Sequence, residues 1–404
     1  MSLPSIEDTD VAGRIVLVRA DLNTPMHGCG VGDRTRITRF APTVADLLRR
    51  GAGVVVISHL GRPRGEINLA YTLAPVAKAL EEELGQKVQF ASDCVGANAE
   101  MVTGGLKPGM VALLENLRFH KGEEANDNTF ALMLSVHGDI YVDDAFSCAH
   151  RAHASTDAIT RYMPSFAGPS LIAEVEALER ALDKPERPSA ALVGGAKIST
   201  KIDVLRHIVK KVDRLIIGGA MANTFLAARG HAIGRSLVET SAIGIANQVT
   251  EAAARSNCVL ILPDDVVVAT EFAANAPHSV VDVDAIPDDA MALDIGPRSV
   301  ARIKEALDTS RTLLWNGPLG AFETEPFGAA TFAVARHAAA LTKAGRLTSI
   351  AGGGDTAAAL AAAGVAGDFT HLSTAGGAFL EWIEGKSLPG IDALRSREPA
   401  LENS

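Results

Sequence analysis

Short runs of β-branched and aliphatic residues recur at 14–19, 53–57, 110–114 and 140–142, and again at 190–193, 215–217, 259–262, 313–315 and 347–350. Each is the length of a strand buried on both faces. Between several of them the apolar spacing becomes helical. The segment LAPVAKALEEELG follows Thr72 as a candidate cap, carries Pro75 in its first turn and has Gly85 just past its end, which are helix start and stop signals. Strands and helices alternating in this way predict an α/β protein built on doubly wound parallel sheets.

The pattern also divides the chain. SLIAEVEALERALDKPERP, residues 170–188, has Leu171, Ile172, Val175, Leu178 and Leu182 at helical spacing and ends in a charged stretch containing proline. It is the candidate helical linker. Before it the chain is rich in arginine and histidine; after it glycine clusters accumulate, at 194–195, 218–219, 352–354 and 376–377. A length of 404 residues likewise exceeds the roughly 100–200 residues of a single domain. Two halves of different chemistry predict two different ligands.

Composition narrows the partners. The formal charge is −10 and aromatic residues are only 4% of the chain, which argues against a nucleic-acid surface with stacking platforms. Cys29, Cys94, Cys148 and Cys258 form no C-x-x-C pair, so neither a disulfide framework nor a zinc knuckle is indicated. The start MSLPSIEDTD lacks a signal-peptide pattern and no apolar run reaches spanning length, so a cytoplasmic protein is expected.

Against that acidic background, Arg19, Arg36, His59, Arg62, Arg118, His150 and Arg151 stand mostly just after the apolar runs of the first half. That is where an open α/β sheet keeps its ligand, and the residues suit a small polyanion. Arg19, Asp21 and Asn23 alternate and would share a face if the strand continued that far. A metal site at His150 and His153 is disfavoured, because no third ligand is suitably spaced and Arg151 would repel a cation.

In the second half GGAKISTK sets Lys197 and Lys201 four apart after a strand, a repulsive pair if a helix begins at or before Lys197 and no anion is near. AGGGDTAAAL opens a helix whose free N–H groups and positive end attract an anion, with Asp355 available to a phosphate-bound magnesium ion. The same letters spell G-x-G-x-x-A. They come too late in the chain, and lack the acid about 20 residues on, for a nicotinamide-dinucleotide site. A Walker A loop is absent, since Leu380 stands where its first glycine would precede Gly385-Lys386-Ser387.

The ordered segments RADLNTP, SHLGRP, LLENLRFH, DAFSCAHRAH, GGAKISTK, IIGGAMANTF, WNGPLGAFE, GGGDTA and STAGGA resemble those of phosphoglycerate kinases through almost the whole chain. The resemblance implies two Rossmann-like domains joined by a helical hinge. It implies a 3-phosphoglycerate domain at 1–169, with a tail at about 388–404 packing back on it, a linker at 170–187 and a nucleotide domain at 188–387. The implied reaction is reversible phosphoryl transfer between 1,3-bisphosphoglycerate and MgADP, giving 3-phosphoglycerate and MgATP, in a closed cleft between the domains.

Carried onto this chain, the resemblance gives Asp21 and Asn23 to the glycerate hydroxyl and carboxylate region, and His59, Arg62, Arg118 and Arg151 to the 3-phosphate side. Arg36 and Lys197 face the phosphoryl group in flight. Lys201 holds nucleotide phosphate, Asn316 and Pro318 line the nucleotide pocket, and Glu323 takes the ribose. Gly353, Gly354, Asp355 and Thr356 take the phosphates with Mg2+, Gly376 and Gly377 belong to a further glycine-rich helix start, and Glu174 matches a hinge residue. A monomer acting only on small molecules is expected.

Departures from the family pattern are Thr24, Asp143, Ser147-Cys148 and Ala375, the last at the first position of a usual triple glycine. Such a cation-rich site needs no general base, because a carboxylate attacking ATP carries its own nucleophilic charge. The alternatives are a nicotinamide-dependent oxidoreductase and a non-enzymatic scaffold on the same fold. A coupled ATP assay with 3-phosphoglycerate separates them.

Overall fold

The computed structural model describes residues 3–28 and 30–396. Cys29 and the part of the expected tail from residue 397 onward lie outside the described residues. The chain divides into two compact units, Met1–Val175 with Ser387–Ser404, and Glu176–Lys386.

In the first unit β1 (Ile15–Arg19) pairs in parallel with β4 (Gly53–Ile57) on one side and β7 (Ile140–Asp143) on the other; β2 (Met26–His27) and β3 (Gly30–Val31) form a small hairpin. With β5 (Val88–Ala91), β6 (Val111–Leu114) and β8 (Ser165–Ala167) the six-stranded order is β5-β6-β4-β1-β7-β8. The strand runs bury both faces. Val16, Val18, Val54 and Val56 enter one core cluster, while Leu17, Val55 and Ile57 enter another on the opposite face. Each such side chain stabilises the fold by about 1.5–3 kcal/mol. The helix Pro389–Arg395 buries Ile391 and Leu394, and Gly390 N–H donates to the Ala149 carbonyl at 3.0 Å.

The second unit contains β9 (Ser189–Val193), β10 (Arg214–Ile217), β11 (Val259–Ile261), β15 (Thr312–Asn316), β16 (Thr348–Gly352) and β17 (His371–Ser373). Their order, β11-β10-β9-β15-β16-β17, is fully parallel and doubly wound about β9 and β15. A separate antiparallel sheet of β12 (Asp265–Ala269), β13 (His278–Asp282) and β14 (Met291–Ile295), in the order β13-β12-β14, was not expected from the sequence. Its edge strand β13 is mostly exposed, so it lacks the continuous apolar run that marks the parallel strands.

The linker segment forms an α-helix over Pro169–Leu178 and continues as a wider π turn over Glu179–Asp183. The division between the units falls within this helix, one residue after Glu174.

Candidate active site

In the first unit the chain leaves β1 for β4 on one side and later returns to β7 on the other, so the loops at the carboxyl ends diverge and open a crevice. Gly61, in the turn after β4, ties these loops together. Its N–H donates to Asn23 Oδ1 at 2.9 Å, and its carbonyl accepts from Arg118 Nη1 at 2.7 Å. Asp21 accepts from the Arg36 guanidinium at the start of the helix Thr35–Arg49, from the Ser147 hydroxyl, and from Asn23 N–H at 3.2 Å.

Arg19 corrects the expectation. Strand β1 ends at this residue, so Arg19, Asp21 and Asn23 do not share one strand face. Its guanidinium is fully buried and consumed by the protein: Nε donates to Ser155 Oγ at 2.9 Å, Nη1 to the Ala20 carbonyl at 2.5 Å, and Nη2 to His59 Nδ1 at 3.1 Å and Cys148 Sγ at 3.5 Å. Ser155 in turn donates its hydroxyl to Glu123 Oε1 at 2.6 Å and its N–H to Oε2 at 3.0 Å. Arg19 and Glu123 thus form a buried charge pair bridged by one hydroxyl. Burial raises the Glu123 pKa, and the Arg19 charge is the largest influence opposing it.

A guanidinium can only donate, so His59 Nδ1 accepts and the ring proton sits on Nε2. Burial, followed by the charges of Arg19 and Arg118, holds His59 well below the usual histidine range. It is a neutral donor rather than a cation. His153 is pushed down to about 3 by burial, then by Arg118, Arg19 and Arg151. The same guanidinium groups acting on both imidazoles report a concentrated positive field. Arg151 is half-buried with Nε donating to His150 Nε2 at 3.0 Å, and Arg62 is exposed with no hydrogen bond or ion pair among the described residues. His150 and His153 belong to no metal-ligand cluster among the described residues.

In the second unit the crevice lies between the loops after β9 and β15. Lys201 bridges them, donating from Nζ to the Gly194 carbonyl at 2.6 Å, the Asn316 carbonyl at 3.1 Å and Asn316 Oδ1 at 2.7 Å. Burial lowers its pKa to about 8, with Asp355 acting in the opposite direction. The loops approach this closely because residue 194 has no side chain: a Cβ there would lie 1.8 Å from the Pro318 carbonyl oxygen. Asn316 Nδ2 donates to the Gly352 carbonyl at 2.8 Å, and Gly317 N–H donates to Thr356 Oγ1 at 2.7 Å.

Gly353 caps the helix Gly354–Ala362, whose first N–H groups have no partner within the helix. Asp355 is exposed in that first turn. Lys197 is also exposed, but the next helix begins only at Ile202, so the expected repulsive pairing of Lys197 and Lys201 on one helix does not arise. Glu239 accepts Ser199 N–H at 2.9 Å; hydrogen bonding from the Ser199 side chain and backbone lowers its pKa, and Lys197 contributes to the shift. Pro318 is half-buried and Glu323 exposed after β15. Gly376 caps the helix Gly377–Ile383 with φ 49°, whereas Ala375 has no positive φ. The Ala375 methyl therefore does not disturb the turn.

The family model for phosphoglycerate kinase matches residues 6–386. The chain belongs to the phosphoglycerate kinase family. The phosphoglycerate kinase of Rhizobium meliloti (strain 1021) is 56% identical over 98% of this chain and 100% of its own length, and that of Rhizorhabdus wittichii is 57% identical at the same coverage. The solved phosphoglycerate kinase of Coxiella burnetii superposes with a TM-score of 0.92 at 41% identity, covering 98% of this chain and 99% of its own. Glu123, Ser155 and Glu239 hold structural roles that no local sequence signal marks. Glu123 reads as one member of a surface charge run, and its partner Ser155 lies 32 residues away.

Proposed function

We propose that the chain catalyses reversible phosphoryl transfer between 1,3-bisphosphoglycerate and MgADP, giving 3-phosphoglycerate and MgATP, as a monomeric cytoplasmic enzyme of glycolysis that uses no nucleic-acid partner. This reading is supported by the position of cationic side chains and glycine turns after the strands at the switch point of each doubly wound sheet. No helix among the described residues is long and apolar enough to cross a membrane.

The first-unit site takes the glycerate. Asp21 and Asn23, fixed by Ser147 and Gly61, orient its hydroxyl and carboxylate, while His59, Arg62, Arg118 and Arg151 hold the 3-phosphate. In the second unit Lys201, Asn316, Pro318, Glu323, Gly353, Gly354, Asp355, Thr356, Gly376 and Gly377 take the nucleotide. Asp355 has no hydrogen-bond or ion-pair partner among the described residues and stands at a helix start, which suits a Mg2+ ion carried by nucleotide phosphates. Magnesium, when bound, neutralises phosphate charge. Arg36 and Lys197 are assigned to the phosphoryl group as it transfers. An acyl phosphate is lost readily to water, so transfer requires the two ligands to meet away from solvent, and the helix Pro169–Leu178 is the element proposed to allow that movement.

Separate sites give a crossed pattern in calorimetry. Arg62→Ala should weaken 3-phosphoglycerate binding by about 1.5–3 kcal/mol, roughly 10- to 150-fold, and leave MgATP affinity unchanged. Lys201→Ala should do the reverse. Equal losses for both ligands in either variant would contradict the assignment.

Lys201 also predicts a pH dependence. Its ligand-free pKa of about 8 lies below that expected beside a phosphate, which favours the charged form. Below pH 8 the lysine is already protonated, and this group leaves affinity flat. Above pH 8 binding must recapture a proton, so MgATP affinity falls by up to about tenfold per pH unit. Titrations between pH 7 and pH 9.5 should show this fall, and Lys201→Arg should flatten it; the same slope in the arginine variant would remove Lys201 as its source.

A further inference from the structure

Two groups of described side chains bring three metal-ligating atoms within 4.8 Å of one another: Asp21, His59 and Cys148, and Asp93, Cys94 and His120. Their electrostatic surroundings are opposite. In the first, Arg19 Nη2 already donates to both His59 Nδ1 and Cys148 Sγ, so a fixed cation occupies the lone pairs a metal would need. In the second, the charged groups acting on the Cys94 sulfur are the carboxylates of Asp93, Glu123 and Glu115. A cation is repelled from one and attracted to the other.

The second group is also shaped as a site. Asp93 and Cys94 follow β5, while His120 follows β6. His120 Nε2 lies 2.7 Å from Asp93 Oδ1, and its ring stacks on Phe130 with centroids 5.2 Å apart, which fixes the imidazole plane. Asp93 Oδ1 also accepts Cys94 N–H at 2.7 Å, holding the carboxylate against the backbone of the thiol. The Cys94 side chain is fully buried, whereas about a third of each of the His120 and Asp93 side chains is open, at 31% and 34%. Solvent therefore reaches the cluster from the histidine and carboxylate side.

We propose that Asp93, Cys94 and His120 form a binding site for a borderline-soft divalent cation such as zinc, with one sulfur, one nitrogen and one oxygen ligand and a fourth position for water. That donor set matches zinc chemistry, in which thiolate, imidazole and carboxylate approach to about 2.0–2.3 Å in a tetrahedron. Binding forms the metal–sulfur bond as the Cys94 thiol releases its proton to solvent. The His120 imidazole binds through the Nε2 lone pair with a proton kept on Nδ1, and the Asp93 carboxylate contributes the second negative charge. One proton leaves per ion bound, and the site becomes neutral. Because His120 lies two residues after Arg118, the ion would fasten the loop that carries Arg118 to the end of β5.

The test is a cobalt(II) titration of the full chain, followed by absorbance and by competition with zinc. A thiolate-to-cobalt charge-transfer band in the near ultraviolet should develop together with the intense visible bands of a tetrahedral site, saturate at one equivalent and disappear when zinc is added. Cys94→Ser should abolish the charge-transfer band. His120→Ala and Asp93→Asn should weaken zinc binding by at least the roughly 10- to 100-fold seen for changes around metal sites. His120→Ala alters a partly exposed side chain and keeps the test decisive if Cys94→Ser fails to fold. Cys148→Ser and Cys258→Ser should retain the full spectrum. Absence of the charge-transfer band in the parent, its persistence in Cys94→Ser, zinc affinity unchanged in His120→Ala, or loss of the band in Cys148→Ser would overturn the proposal.

Discussion

Arg36→Ala is expected to lower turnover by on the order of 10³–10⁵-fold, the range an arginine acting on a transferring phosphoryl group supplies. Its guanidinium stands at the start of the helix Thr35–Arg49 and pairs with Asp21, which Ser147 and the Asn23 backbone also hold. Removing the arginine leaves Asp21 with those two partners, so the glycerate loop keeps most of its support. The change should therefore appear chiefly in kcat, with a smaller rise in KM for 3-phosphoglycerate. Arg36→Lys should recover only part of the loss, because an ammonium group lacks the planar fork of donors that a guanidinium offers to phosphate oxygens. Steady-state kinetics with kcat within a few-fold of the parent would remove Arg36 from the chemical step.

Arg19→Met should cost about 3–5 kcal/mol of folding stability, since it strips the fully buried Glu123 of its counter-charge. The hydrogen bonds to Ser155 Oγ, the Ala20 carbonyl and His59 Nδ1 are lost together. Adding Glu123→Gln to Arg19→Met should restore part of the stability, because the second change removes the stranded charge. Urea titrations report both effects as shifts in midpoint at constant slope. A parent-like midpoint in the single variant, or additive losses in the double variant, would show that the pair is not coupled.

Much of the fold is legible because the parallel strands are buried on both faces and so appear as continuous apolar runs such as GVVVI at β4 and SAALV at β9. The edge strands β5, β8 and β17 are only three or four residues long and carry polar positions, which leaves little periodicity to read. The antiparallel insert was hidden for a related reason, as its outer strand HSVVD faces solvent over most of its length.

The candidate site divides along the same line. Glycine clusters and isolated cations after apolar runs mark the loops at the switch points, and the local sequence reveals them. It does not reveal which cations face outward. Arg19 and Arg62 both follow apolar runs; one is spent on Ser155, Ala20, His59 and Cys148, while the other is exposed. That distinction depends mainly on His59, Cys148 and Ser155, which lie 40 to 136 residues away in the chain. Lys201 shows the same limit, because its clamp by Gly194 and Asn316 exists only once β9 and β15 are paired.

Transfer of a phosphoryl group from the ligand of one proposed anion site to the ligand of the other is tested by ADP release from the purified chain mixed with MgATP and 3-phosphoglycerate, each component omitted in turn. ADP should form rapidly only when both substrates and magnesium are present, and Arg36→Ala should abolish nearly all of it. No ADP from the complete mixture, or equal ADP without 3-phosphoglycerate, would contradict the account.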